Sequence, residues 1–253
     1  MLRPRLIPCL LIHKGGLYKT VEFGRPKYVG DPLNAVRIFN EKEVDELIVV
    51  DIDASRLGYE PDYKLIAKLA SECRMPLCYG GGVHTLGAVE RIIRLGVEKV
   101  AISSAAVKNP VLLTEAAKRV GSQSVVAVID VKKTGLFQRY EVVINNASKK
   151  TGLDPASWAG ELQSLGAGEI LLNSVDSDGQ MQGYDFNLVD KVRAKLSTPL
   201  TVLGGAGSFE HFQRLFARYG IIGAAAGSFF VFKGKYRAVL INYPNRDEKN
   251  TLY

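Results

Sequence analysis

Cysteine, histidine and tryptophan are scarce, at three, three and one in 253 residues. Cys9, Cys73 and Cys78 are odd in number, lack the paired spacing of metal ligands and lie in or near apolar stretches, where a free thiol behaves as a small hydrophobe. Disulfides and zinc are therefore not expected. His13, His84 and His211 have no cysteine or carboxylate at metal spacing, so solvent-facing or capping roles are expected and neither metal nor other cofactor is assigned. Long apolar runs are missing as well. Ile48 to Val50 and Val125 to Ile129 suit strands and fall far short of the ~20 residues of a membrane span. No cleavable leader pattern precedes the first strand-like run, and a cytoplasmic protein without a membrane partner is the expectation. The 33 Lys and Arg outnumber the 26 Asp and Glu, but the cations read as scattered, without a basic run interleaved with aromatics. That distribution argues against nucleic acid and for small anionic ligands. Trp158 and the Tyr and Phe residues show no stacking-platform spacing and read as core or interface.

What is present is alternation. Strand-like runs at Leu6 to Ile12, Glu46 to Asp51, Pro76 to Gly80, Lys99 to Ser103, Ser124 to Asp130, Glu169 to Asn173, Pro199 to Leu203 and Ile222 to Ala226 are separated by amphipathic segments. Asp31-Pro32, Pro61-Asp62, Asp154-Pro155 and Ser208-Phe209-Glu210 read as helix caps or first turns. Alternating strand and helix predicts a parallel sheet. An internal repeat separates a closed barrel from an open sheet: Pro76-Leu77 to Gly81-Gly82 recurs as Pro199-Leu200 to Gly204-Gly205, 123 residues later. Glu46 and Asp53 recur as Glu169 and Asp176 at the same spacing. The expectation is one α/β domain, a (β/α)8 TIM barrel of two half-barrels at about 1–120 and 121–253.

Chemistry in such a barrel sits at the C-terminal strand ends. The strand-end set comprises Asp51, Asp53, Ser103, Ser104, Asp130, Asn173, Asp176 and Asp178. Gly81-Gly82 and Gly204-Gly205 place bare backbone just before a helix, and each is partnered one strand later, by Ser103-Ser104 and Gly227-Ser228. Two such pairs predict two phosphate sites and a ligand phosphorylated twice. Asp130 is placed either as a general acid or base or as a loop cap. Asp51, Asp53, Asp176 and Asp178 are candidates to bind substrate hydroxyls or to shift one another's pKa values, with at least one a helix cap.

Gly80-Gly81-Gly82-Val83-His84, Ala105 to Pro110, Gly121-Ser122-Gln123, Gly166 to Leu172 and Gly204 to Gly207 together make the whole chain resemble the cyclase subunit of imidazole glycerol phosphate synthase. The resemblance implies a glutaminase partner on the N-terminal barrel face and ammonia crossing the barrel to a doubly phosphorylated ribonucleotide at the mouth. It also implies a charged entrance of Arg5, Glu46, Lys99 and Glu169, and a loop lysine, Lys19, over the substrate. The family's acid and base are aspartates ending the first and fifth strands. Asp130 fills the second position, but Leu11 fills the first, and the repeat also sets Leu11 opposite Asp130. Asp53 and Asn173 stand where the family has threonines, and Leu203 where it has serine.

Three functions remain open on these residues. One is the family's cyclase reaction in histidine biosynthesis, with Asp130 alone or with Asp176 or Asp178 as partner. Another resembles a divergent branch found with surface-polysaccharide genes, in which a glutaminase and a barrel supply ammonia to a third protein that amidinates a sugar. The last is a silent barrel that binds a phosphorylated ligand and activates its glutaminase.

Overall fold

A computed structural model describes residues 3–252; Met1, Leu2 and Tyr253, within the expected half-barrel bounds, lie outside them. Eight strands form one parallel cylinder: β1 (Arg5–His13), β2 (Leu47–Asp51), β3 (Leu77–Gly80), β4 (Lys99–Ile102), β5 (Val125–Thr134), β6 (Glu169–Ser174), β7 (Leu200–Leu203) and β8 (Gly223–Ala226). Each pairs with the next, and β8 returns to β1 from Arg5 opposite Gly223 to Pro8 opposite Ala226. Helices α1 (Pro32–Glu41), α2 (Tyr63–Glu72), α3 (Leu86–Arg94), α4 (Val111–Val120), α5 (Pro155–Ser164), α6 (Phe186–Arg193) and α7 (Phe209–Tyr219) alternate with the strands, and α8 (Arg246–Asn250) follows the last. The expected (β/α)8 barrel is therefore the fold.

Local chemistry sets the helix starts. Asp31, Asp62 and Asp154 accept hydrogen bonds from the backbone N–H groups of Asn34, of Lys64 and Leu65, and of Ser157, each satisfying donors that a first turn leaves open. Ser208 occupies the same position before α7 but makes no side-chain cap; His211 Nδ1 accepts from the Gly207 N–H at 3.1 Å instead. Hairpins after β1, β5 and β8 were not expected, the last pairing Phe232–Lys233 with Ala238–Val239. Gly16–Val21 folds back on β1 and Gly24–Gly30 on Gly16–Val21, and Arg139–Ile144 folds back on β5.

Period-two alternation divides the buried side chains into two cores. One face of each strand packs beneath the helices, where Trp158, Phe39 and Phe212 are buried. The other face fills the barrel with Ile7, Cys9, Ile48, Cys78, Ala101, Val126, Leu171 and Ala225. Phe212 is fully buried and meets the rings of Tyr184, Phe229 and Phe230 at centroid distances of 6.2, 4.9 and 6.0 Å. Phe212→Ala leaves a cavity there and is expected to cost about 3–5 kcal/mol in urea unfolding, with the folded far-ultraviolet spectrum retained.

Candidate functional site

At the N-terminal end of the barrel, Arg5, Lys99 and Glu169 begin their strands and Glu46 immediately precedes β2, so all four point inward. They close into a ring. Arg5 pairs with Glu46 and, at 2.7 Å, with Glu169; Lys99 Nζ reaches each carboxylate at 2.8 Å. Thr201 joins by donating to Glu169 at 2.5 Å, and a Cβ on neighbouring Gly223 would lie 1.9 Å from its hydroxyl. Only glycine leaves room for this threonine. Burial acts to raise the Glu169 carboxyl, but the Arg5 and Lys99 charges outweigh it and hold the group below the ordinary range. Sequence reasoning missed Thr201, although it lies two residues before Leu203 on the same inward face of β7.

Above the ring the lumen is apolar, and its two thiols are inert. Burial raises Cys9 to about 12 and Cys78 well above the ordinary thiol value. Beyond Cys9 the lumen widens into a cavity with an empty volume of about 910 Å³, including its open mouth, lined among others by Leu11, Val50, Asp51, Ser103, Asp130 and Leu203. Asp130 is the acid at its floor. Ser103 Oγ donates to it at 3.0 Å and Asn173 Nδ2 at 2.9 Å. Burial dominates these bonds and raises its pKa to about 6.

The four remaining aspartates do not form a cluster. Asp51 accepts from the N–H groups of Asp53 and Ala54, capping the short helix Ala54–Leu57, and burial raises its pKa. Asp176 accepts from the Lys133 N–H at 2.7 Å. Asp178 is buried against Lys19 Nζ at 2.7 Å and the Thr20 hydroxyl at 3.1 Å. Asp53 holds His13 Nδ1 at 2.9 Å and the Lys14 N–H at 2.9 Å, so His13 is an anchored side chain rather than a solvent-facing one. Lys19 likewise differs from a loop lysine reaching over the mouth: it lies in the Gly16–Val21 strand, 5% exposed, and also donates to the Thr20 carbonyl.

The two candidate phosphate loops are unequal. Gly81, Ser103 and Ser104 line the cavity, and Gly82 lies beside them with its N–H donating to Ser55. Gly204 and Gly205 are packed on Ser174 and Gly183, and a Cβ on Gly227 would meet the Lys19 side chain at 2.6 Å. The second set is thus roofed by the β1 hairpin and the segment around Gly179 to Gly183. Helix geometry also shifts the expected emphasis. Thr85 caps α3 beyond Gly82, whereas the short helices Ser104–Lys108 and Ser228–Val231 start without a side-chain cap. Their N-termini, at Ser103-Ser104 and Gly227-Ser228, retain the N–H groups an anion would use. Asn173 Oδ1 and Ser228 Oγ are buried here without a protein partner. Phe23, Ile52, Ser55 and Asn146 line the cavity unanticipated, because only the fold brings their loops to one mouth.

Two outcomes test this electrostatic reading. The folded pKa of Asp130 lies above its unfolded value, so the stability linked to its neutral form is full below about pH 4 and is lost as pH rises through about 6. Urea titrations are expected to show Asp130→Asn gaining on the wild type between pH 4 and 7.5, by on the order of 3 kcal/mol. Glu169 has the opposite sign, stabilising above its unfolded pKa and losing that contribution as pH falls through its depressed value. Lys99→Met leaves two buried carboxylates sharing Arg5, so a loss of roughly 3 kcal/mol is expected at neutral pH, narrowing on acidification.

Residues 5–237 match the family model described as histidine biosynthesis protein. A Leptospira borgpetersenii protein provisionally named imidazole glycerol phosphate synthase subunit HisF is 56% identical over 253 residues, covering all of both chains. A Pseudomonas aeruginosa protein provisionally named as subunit hisF2 is 52% identical over 245 residues, 97% of each chain. Imidazole glycerol phosphate synthase subunit HisF of Clostridium botulinum is 38% identical over 233 residues, 92% of each chain. No helix among the described residues is long and apolar enough to cross a membrane. On the match over nearly its whole length, the chain belongs to the histidine biosynthesis protein family, alongside HisF subunits of imidazole glycerol phosphate synthase.

Proposed function

We propose that this chain is the ammonia-accepting barrel of a glutamine amidotransferase complex and hands ammonia to an acceptor other than the histidine-pathway ribonucleotide. In this reading a HisH-type glutaminase docks at Arg5, Glu46, Lys99 and Glu169. Ammonia released there is small and neutral, so the apolar lumen past Ile7 and Cys9 suits its passage and disfavours ammonium. The observation that carries the reading is at the other end. Leu11 lines the same cavity as Asp130, where paired acid–base work needs a second proton carrier, and a leucine has none. The other lining carboxylate, Asp51, is committed to capping backbone N–H groups.

A sugar undergoing amidination in surface-polysaccharide synthesis, completed by a third protein, is the acceptor this reading favours. Ser103-Ser104 with Gly81-Gly82, and Gly227-Ser228 with Gly204-Gly205, then hold a phosphorylated ligand that signals an occupied mouth to the glutaminase. The relatives at 52–56% identity support a separate branch, since they bear provisional names, one of them hisF3 and another hisF2, whereas relatives at 38–40% bear the plain subunit name.

The family's own cyclase reaction is the second reading, and the neighbourhood of Asp130 favours it. A carboxyl raised to about 6 is suited to proton transfer near neutral pH, and the buried Lys19–Asp178 pair stands close by. A silent, activating barrel is the third. Complementation of a histidine-requiring strain separates them: the wild type, shown to be soluble and expressed, is expected not to restore growth. Growth at the rate given by a HisF would reject the acceptor reading. Leu11→Asp is expected to leave glutaminase stimulation intact. Should it also raise ribonucleotide cyclisation by about 10²-fold or more, the pocket is a disarmed cyclase and the silent reading gains.

A further inference from the structure

Two hairpin tips stand out at the mouth face. The connection after β5 carries Lys132, Lys133, Leu136, Phe137 and Arg139, with Leu136 90% and Phe137 79% exposed. The connection after β8 carries Lys233, Lys235, Tyr236 and Arg237, with Tyr236 89% exposed between the paired strands Phe232–Lys233 and Ala238–Val239. Neither 132–139 nor 233–239 contains an acidic residue. The β1 hairpin, whose turn is Glu22-Phe23, is tied to the second tip through its outer strand: Lys27 donates to the Arg237 carbonyl at 2.8 Å and lies 4.9 Å over the Phe232 ring. Cations that read as scattered along the chain thus gather on one face, with Lys133 paired to Asp185 at 3.2 Å and Lys132 opposite Glu141 in the β5 hairpin register. The β1 and β5 hairpins continue C-terminal strand ends and the third follows the short helix Ser228–Val231 after β8, so all three lie on the mouth side, opposite the Arg5, Glu46, Lys99 and Glu169 ring.

Exposed aromatic and leucine side chains serve no packing role in the barrel, and sequence gives them no reason to be apolar on a loop tip. Ringed by cations, they have the composition of an interface: apolar anchors that fill sockets and a charged rim that steers the encounter. We propose that the tips at Leu136-Phe137 and Tyr236 form the seat of a protein with an acidic face, which closes over the mouth and takes up the ammonia emerging past Leu11. The inference rests on the acceptor reading above and identifies where the third protein, which amidinates the acceptor sugar, binds. An acidic protein fits better than an anionic bilayer because the anchors stand on separate loops around an opening. A protein cap there encloses the exit, whereas lipid gives a small neutral molecule a way out.

The test uses the barrel–glutaminase complex titrated with the amidating protein whose product formation it supports, by fluorescence anisotropy at several salt concentrations. Leu136→Ser/Phe137→Ser and Tyr236→Ser are each expected to raise the Kd roughly tenfold or more, with glutaminase turnover of the two-subunit complex unchanged. Arg139→Glu/Lys235→Glu is expected to slow association and flatten its salt dependence. Unchanged turnover also shows that the variants are folded. Wild-type Kd values in all three variants, with transfer of ammonia intact, overturn the seat while sparing the acceptor reading; absence of any ammonia transfer to the amidating protein overturns both. Binding to vesicles of phosphatidylcholine with 30% phosphatidylglycerol that the substitutions abolish, without effect on the amidating protein, overturns the proposal in favour of a membrane surface.

Discussion

Closure of the sheet through β1 is the constraint on which the rest depends. β1 pairs with β8 through Arg5 to Pro8 and with β2 through Cys9 to Ile12, so its register fixes the start and end of the ring at once. Period-two alternation then points Arg5, Ile7, Cys9 and Leu11 into the barrel. One strand consequently carries an entrance cation, two wall residues and the leucine at the mouth. A one-residue slip would turn all of them into the helix layer and present Leu6, Leu10 and Ile12 to the lumen instead. The register that places Arg5 between two glutamates is therefore the register that places Leu11 beside Asp130.

The two ends of the lumen handle buried charge differently. At the entrance, two carboxylates and two cations balance, and Thr201 adds a hydrogen bond, so ionised groups persist at little exposure. At the mouth Asp130 has only the neutral donors Ser103 and Asn173, and burial outweighs them. The lysine that could have offset it, Lys19, is instead committed to Asp178. An entrance made of a charge-balanced network holds its shape through many single changes around it. A mouth whose acid has no ion-pair partner is open to remodelling, because replacing a neighbouring polar group by leucine removes no such partner.

Most of the barrel was legible from sequence because strands buried on both faces read as short β-branched runs, and glycines with positive φ recur at matching places, Gly81 at 109° and Gly204 at 98°. The charged ring at the N-terminal barrel end was singled out only through family resemblance, since nothing local distinguishes a strand-end charge that pairs across the barrel from one that is solvated. The separate partners of the carboxylates were not legible for the same reason, although one of the four does cap a helix as expected. Asp51, Asp53, Asp176 and Asp178 look alike in sequence, yet each finds a different partner, and three of the four accept from backbone N–H groups, which no side-chain pattern foretells. His13 was missed as an anchor because its partner, Asp53, is supplied by another strand-end loop.

The hairpins after β1 and β5 show why function was the harder inference. Sequence pairs Gly16-Leu17 with Gly135-Leu136 at the spacing that pairs Leu11 with Asp130, and both segments extend their strands as antiparallel hairpins. Their tertiary fates diverge. Leu17 is buried and Lys19 turns inward to Asp178, roofing the Gly204-Gly205 and Gly227-Ser228 loops, whereas Leu136 stands in solvent beside Phe137. A repeat preserves backbone path because register and packing enforce it, but nothing enforces the chemistry of a loop tip except what binds there. An exposed leucine and phenylalanine on that tip are accordingly better evidence about a partner than about the fold, and the fold supplies only the face they are on.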